Sequence, residues 1–137
     1  MGEILRLKVV TPDGPILDEE AISVTACSEQ LGEFCVLPEH RPILAALGAG
    51  RLLVKRSDGG SDDFVTDSGF LEGGPEHVNV LTQRCVRVSD IDISRVVEEI
   101  EEIEKELNEL GEGDASWDDL NINLKWARAR LNAVDNS

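Results

Sequence analysis

Apolar and polar positions alternate through the first two-thirds of the chain, then change period. Over residues 4–10, Ile4, Leu5, Leu7, Val9 and Val10 interleave with Arg6 and Lys8. A two-residue period of this kind predicts a strand with one buried face. Thr11-Pro-Asp-Gly-Pro15 supplies a turn, because proline presets φ and Asp-Gly tolerates the tight geometry. Residues 21–27 alternate again, predicting Ile22, Val24 and Ala26 on one face and Ser23, Thr25 and Cys27 on the other. Arg51–Arg56 and Phe64–Thr66 flank Asp58-Gly59, a pair favoured in hairpins. Gly69–Glu72, His77–Thr82 and Arg84–Val88 complete the series, with Val78 and Val80 opposing His77 and Asn79. Many short strands divided by turn signals predict a β-sandwich or small barrel. Only three phenylalanines fall in this part, so its core must be built mainly from Val, Leu and Ile.

The period becomes helical at Ser89, which with Asp92 three residues on makes a helix-start signal. Val96, Ile100, Ile103, Leu107 and Leu110 then recur at steps of four and three, a heptad seam. Gly111 is placed to end the helix as a C-terminal glycine does. Ser116 and Asp119 repeat the start signal before Trp117, Leu120, Leu124, Ala127, Leu131 and Val134. Two apolar seams joined by a short loop predict an antiparallel helical hairpin. The fold class is therefore mainly β plus α, divided into a sandwich over residues 1–88 and a hairpin over 89–137.

Charge sharpens that division. The chain carries a formal charge of −15, which argues against a nucleic-acid partner because phosphate neutralisation needs a basic face. Residues 89–137 hold 14 acidic side chains against 5 basic ones. Three cysteines with no C-x-x-C pair argue against a disulfide framework and for a reducing compartment. Cys35, among apolar neighbours, reads as a buried, inert thiol. With two histidines, neither beside a cysteine, no metal site is expected. No apolar run approaches the roughly 20 residues that span a bilayer, so membrane association is expected through partners alone. No catalytic residues are expected either. His40 has no sequence partner and reads as a structural or interface histidine, while Glu19-Glu20 and Asp62-Asp63 read as solvated loop acids.

The most specific stretch is Gly32-Glu-Phe-Cys-Val-Leu-Pro-Glu-His-Arg-Pro-Ile-Leu44, with Leu47 and Gly50 beyond it. Pro38 and Pro42 hold Leu37 and Arg41 out of helix, giving strand, rigid corner, strand. Gly32 opens the stretch where a positive φ is available. This G-x-x-x-V-L-P-x-H-x-P-I-L pattern resembles the epsilon-subunit family of F-type ATP synthases. Gly69-Phe-Leu-Glu72, Val78-Asn-Val-Leu81 and Ala127-Arg-Ala-Arg-Leu131 agree with the same family. Cys35 departs from it, standing where the family commonly has glycine.

The resemblance implies a sandwich of about ten strands and a non-catalytic rotor subunit that couples proton flow to ATP synthesis. It implies a gamma subunit and a ring of c subunits as partners, with alpha and beta subunits reached through the hairpin, which in many bacteria inhibits ATP hydrolysis. It implies a peripheral place at the cytoplasmic face of the membrane. Glu33 and the corner near it would face the c ring, and His40 and Pro42 the gamma side. ATP-binding members of the family resemble I/L-D-x-x-R-A at the start of the first helix. Here Ile91-Asp92-Ile93-Ser94-Arg95-Val96 keeps the acid and the arginine but loses the alanine. Arg130 matches one basic position of the second helix, but Trp126 stands where another arginine would help hold phosphate. No cofactor is required, and ATP binding through Asp92, Arg95 and Arg130 is expected to be weak or absent. The rival reading is a free-standing sandwich whose hairpin serves as a coiled-coil adaptor.

Overall fold

The computed structural model describes residues 4–111 and 113–135. The chain divides into two compact units, one ending at Arg87 and the other starting at Val88. The first holds β1 (Leu5–Thr11), β2 (Gly14–Ser28), β3 (Gly32–Val36), β4 (Ile43–Leu47), β5 (Gly50–Arg56), β6 (Ser61–Thr66), β7 (Gly69–Gly73), β8 (His77–Thr82) and β9 (Cys85–Arg87). Nine strands thus stand among the described residues, against the ten or so implied by the resemblance. They run in the order β4-β7-β8-β1-β2-β5-β6-β9, with β3 also on β2. Every pairing is antiparallel except β1 with β8.

The 15-residue β2 organises the sandwich. Its first half pairs with β1, from Thr11↔Gly14 to Leu5↔Ala21. Its second half carries β3, from Val24↔Val36 to Ser28↔Gly32, and β5. The β2–β5 register shifts between Ala21 and Ser23, leaving Ile22 as an extra residue. A one-residue insertion swaps the faces of everything beyond it. Ala21 therefore points inward before the shift, and Val24 and Ala26 after it. Ile22, expected on the inner face, is 40% exposed. Leu5, Leu7, Leu52, Val54, Phe64, Leu71, Val78 and Val80 join one core, and full burial of such a side chain contributes about 1.5–3 kcal/mol.

The proline corner joins β3 to β4 as expected. Glu39 has φ 69° and Gly32 φ 72°. The Glu39 N–H donates to Pro75 O at 2.7 Å, tying the corner to the β7–β8 turn. The Asp58-Gly59 hairpin also forms, with Gly59 at φ 92°. Cys35 corrects an expectation. Being odd-numbered on β3, it shares a face with exposed Glu33 while Val36 takes the core side, and its thiol is exposed. The sheltered thiol is that of Cys85, pushed up to about 11 by burial against a smaller opposing pull from Arg87.

The second unit opens with a 3-10 turn over Val88–Asp90, followed by α1 (Ile93–Glu109) and α2 (Trp117–Asp135). Ser89 lies within that turn, so the cap falls to Asp92, whose carboxylate accepts the Arg95 N–H at 3.4 Å. At the other end Leu110 is extended (φ −101°, ψ 151°). The helix stops there without the left-handed glycine expected at Gly111. Arg130 Nη2 meets Glu99 at 2.8 Å and Arg128 meets Glu104 at 3.5 Å. These two pairs flank the seam and set the helices antiparallel, with Val96, Ile103, Leu124 and Ala127 buried. Trp126 and Ala133 are buried too, although their helical phase puts them on the side of α2 away from the seam.

Candidate functional site

Directly opposed residues in a sheet share a face, so the pairing registers define what the outer side of β4-β7-β8-β1 presents. One row runs Ala46↔Phe70, Phe70↔Leu81 and Leu81↔Val10. Phe70 and Leu81 are more than half exposed, and Leu44, one row along on β4, is 73% exposed. That second row continues Leu44↔Glu72, Glu72↔Asn79, Asn79↔Lys8 and Lys8↔Asp18. The outer face is thus half apolar and half charged.

Hydrogen bonds set the charged half in order. Glu72 lies 2.7 Å from His77 Nε2 and accepts from Asn79 Nδ2 at 3.0 Å. The bond to His77, then that to Asn79, holds the Glu72 carboxyl below the usual carboxylate range. Arg6 donates to Asp18 at 2.7 Å. At the other end of the apolar row, Val10, Pro12, Phe70, Leu81 and Gln83 line an open cleft of about 310 Å³.

The base of the cleft is built tightly. Asp67, 4% exposed, receives Arg84 Nε at 2.8 Å, and the Thr82 hydroxyl lies 2.9 Å from the Asp67 carbonyl oxygen. Next to them Gly69 touches β8 so closely that a Cβ would collide with Leu81 O and lie 2.8 Å from Thr82 Cα. The β6–β7 and β8–β9 turns, bonded to each other by Asp67 N–H to Arg84 O at 2.9 Å and Gln83 N–H to Ser68 O at 3.2 Å, fix where Phe70 and Leu81 project. An exposed apolar row rimmed by ordered charges has the make-up of a protein-docking face. Among the described residues no group of histidine, cysteine or acidic side chains could hold a metal ion. No described helix is long and apolar enough to cross a membrane.

The expected partner residues fall on two different parts of the sandwich. Glu33 is exposed near the start of β3, beside the turn that carries Leu31, itself 61% exposed. His40 and Pro42 lie past the far end of β3. The His40 ring donates from Nδ1 to Arg41 O at 2.6 Å, and exposed Pro42 leads into β4, whose Leu44 and Ala46 belong to the outer face. The fold thus separates Glu33 from the other two. Phe70 and Leu81 stand in segments that carry the family resemblance, but neither they nor Val10 were expected as partner residues. The available signal was Leu81 beside Val80, an apolar residue at a position where alternation calls for a polar one.

On the hairpin, Asp92 is engaged as a cap and Arg95 is exposed. Arg130 is committed: its guanidinium bonds Glu99 and lies 5.0 Å from the centre of the Trp126 ring. Glu99 is one turn beyond Arg95, so the three proposed nucleotide contacts lie along one side of the hairpin. A carboxylate stands among them where a phosphate would have to sit.

A curled sheet with an apolar outer row, followed by a helical hairpin, defines a β-sandwich protein with a C-terminal helix pair. Residues 4–88 match the family model of the ATP synthase delta/epsilon chain, beta-sandwich domain. The ATP synthase epsilon chain of Anoxybacillus flavithermus is 38% identical over 104 residues, 75% of each chain. That of Geotalea daltonii is 32% identical over 137 residues, covering 100% of this chain and 98% of its own. The chain belongs to the ATP synthase delta/epsilon family, on the epsilon-chain branch. A chain in the cryo-EM structure of the Euglena gracilis mitochondrial ATP synthase (OSCP/F1/c-ring, rotational state 1) shares the fold. Its TM-score is 0.82 at 23% identity, over 96% of this chain and 82% of that one.

Proposed function

We propose that this chain is a non-catalytic central-stalk subunit of an F-type ATP synthase, turning with the rotor that couples proton flow to ATP synthesis. The observation that carries the assignment to a surface is the row Ala46–Phe70–Leu81–Val10 on the outer face of an epsilon-chain sandwich. This row is the docking face for the gamma subunit, and Pro42 and His40 flank it at the β4 edge. The turn bearing Leu31 and the start of β3 bearing Glu33 belong to a different part of the sandwich and meet the polar loops of the c ring. The subunit sits peripherally at the cytoplasmic face of the membrane, carried there by these contacts. Residues 1–88 bind the rotor, and residues 89–137 form a separable hairpin that reaches alpha and beta subunits. The hairpin holds ATP weakly or not at all, because Arg130 already has a carboxylate partner.

The test is co-purification with the cognate gamma subunit. Wild type forms a stable complex at micromolar concentration, and Leu81→Ser in the apolar row weakens it without unfolding the sandwich. No complex from wild type refutes the assignment. Cysteine placed at Glu33 cross-links to the c loop; cross-linking only to alpha or beta shows the orientation to be wrong.

A further inference from the structure

Glu19 looks like a solvated acid in the run Asp18-Glu19-Glu20, but the pairing of β1 with β2 turns it inward. It stands opposite Leu7, which is fully buried, and opposed residues share a face. Its Oε1 is shut off from water and accepts no hydrogen bond from any N–H or O–H among the described residues. Asp62 of β6 is turned to the same side, standing opposite the fully buried Val54 of β5, and its carboxyl acts on that of Glu19. Asp62 is in turn the focus of two cations, with Arg56 Nη1 at 2.8 Å from β5 and Arg87 Nη1 at 3.1 Å from β9. Asp58 completes the set as the second partner of Arg56, at 3.3 Å. From β1, Glu19 faces only the apolar Leu7.

We propose that Glu19 and Asp62 form a proton-binding pair, so that acidification places one proton between them and fastens β2 to β6. With both carboxyls ionised, two anions face each other and Oε1 has no donor, which is the costly arrangement for sheltered polar groups. One proton on Glu19 converts that repulsion into a charge-assisted O–H···O bond donated to Asp62, which keeps both guanidiniums. The proton belongs on Glu19 because Asp62 holds the cations. Burial first, then Asp62, pushes the Glu19 carboxyl above the usual glutamate range, against weaker pulls from Arg56 and Arg87. Burial pushes Asp62 up as well, but hydrogen bonds from Arg56, Glu19 and Arg87 outweigh it and hold Asp62 low. The sign follows: a carboxyl raised in the folded state stabilises the fold below its unfolded value, about 4.3 for glutamate. That contribution is lost as pH rises through the folded value.

The test is a side-chain carboxyl titration of Glu19 in the full chain by carbon NMR. The expected midpoint lies above about 4.3 and falls in Asp62→Asn, where the introduced amide can donate to the Glu19 carboxylate. A midpoint at or below that value, or one that Asp62→Asn leaves unmoved, overturns the pairing. Glu19→Gln gives a second reading that needs no change at Asp62. Its amide donates to Asp62 at every pH, so its urea midpoint exceeds that of wild type at pH 7.5, and the gap narrows toward pH 5. A Glu19→Gln variant weakened equally at both pH values also overturns the proposal.

Discussion

Phe64→Ala and Phe70→Ala separate core from docking face with one residue type. Phe64 is 1% exposed within the core, and its ring carries Arg87 at 4.9 Å; Phe70, on the next strand in sequence, is 55% exposed. Truncating a buried phenylalanine costs about 3–5 kcal/mol, and losing the cation–π contact about 0.5–1 kcal/mol more. Against a typical domain stability of roughly 5–15 kcal/mol, a loss of about 4–6 kcal/mol leaves little fold in reserve. At about 4–8 °C per kcal/mol for a domain of this size, the sandwich melts roughly 16–48 °C earlier. Phe70→Ala should change stability by only about 0.5 kcal/mol; with its row as the proposed gamma-docking face, loss of an aromatic anchor of a kind that contributes about 2 kcal/mol should weaken affinity for gamma roughly thirtyfold. Both tryptophans, Trp117 and Trp126, lie in α2. Urea titration followed by indole fluorescence therefore reports the hairpin, while far-UV circular dichroism also follows the strands. Equal losses of stability in the two variants, or a loss below about 1 kcal/mol for Phe64→Ala, would refute the division of faces.

Gly69→Ala should destabilise the sandwich by about 2 kcal/mol or more, since the new methyl meets backbone that cannot yield; a melting curve checks it. Alkylation at pH 8 followed by peptide mapping should modify exposed Cys35 first and Cys85 last, its thiol being pushed up to about 11. Asp92→Ala should cost the hairpin about 0.5–2 kcal/mol by removing its N-cap, while Asp92→Asn restores most of it, both read by indole fluorescence. A chain ending at Val88 should still fold with β-type dichroism and bind gamma; a chain that fails to fold ends the two-part reading.

Most of the strands were legible because alternation and turn chemistry agreed: Leu5, Leu7 and Val9 go inward, and Asp58-Gly59 turns. The faces of β2 were not. A bulge is a property of two strands, and nothing in Ala21-Ile22-Ser23 alone says that β5 will skip a residue there. Glu19 was misread for a similar reason, its face being set by pairing to Leu7 and its company by a strand far along the chain. The hairpin seam was plain from its spacing, but Trp126 lies off it, and burial on a second side of α2 is invisible to a single heptad count. The proline corner was the strongest signal of all, yet the exposed row beside it depends on four strands arriving in register.

The parallel pairing of β1 with β8 bears on how the chain comes to fold. Arg6 meets His77 and Val10 meets Leu81, so the first strand made must wait for nearly the last. The β1–β2 hairpin can form early from local contacts, but the sheet cannot close around β1 until β8 has arrived, and contacts so distant in sequence form slowly. Until then one edge of β1 is bare, with Leu5, Leu7 and Val9 still uncovered, and such an edge invites pairing with another chain. The interval between the synthesis of β1 and the arrival of β8 is therefore the aggregation-prone phase of this subunit's life, before any partner can shield it.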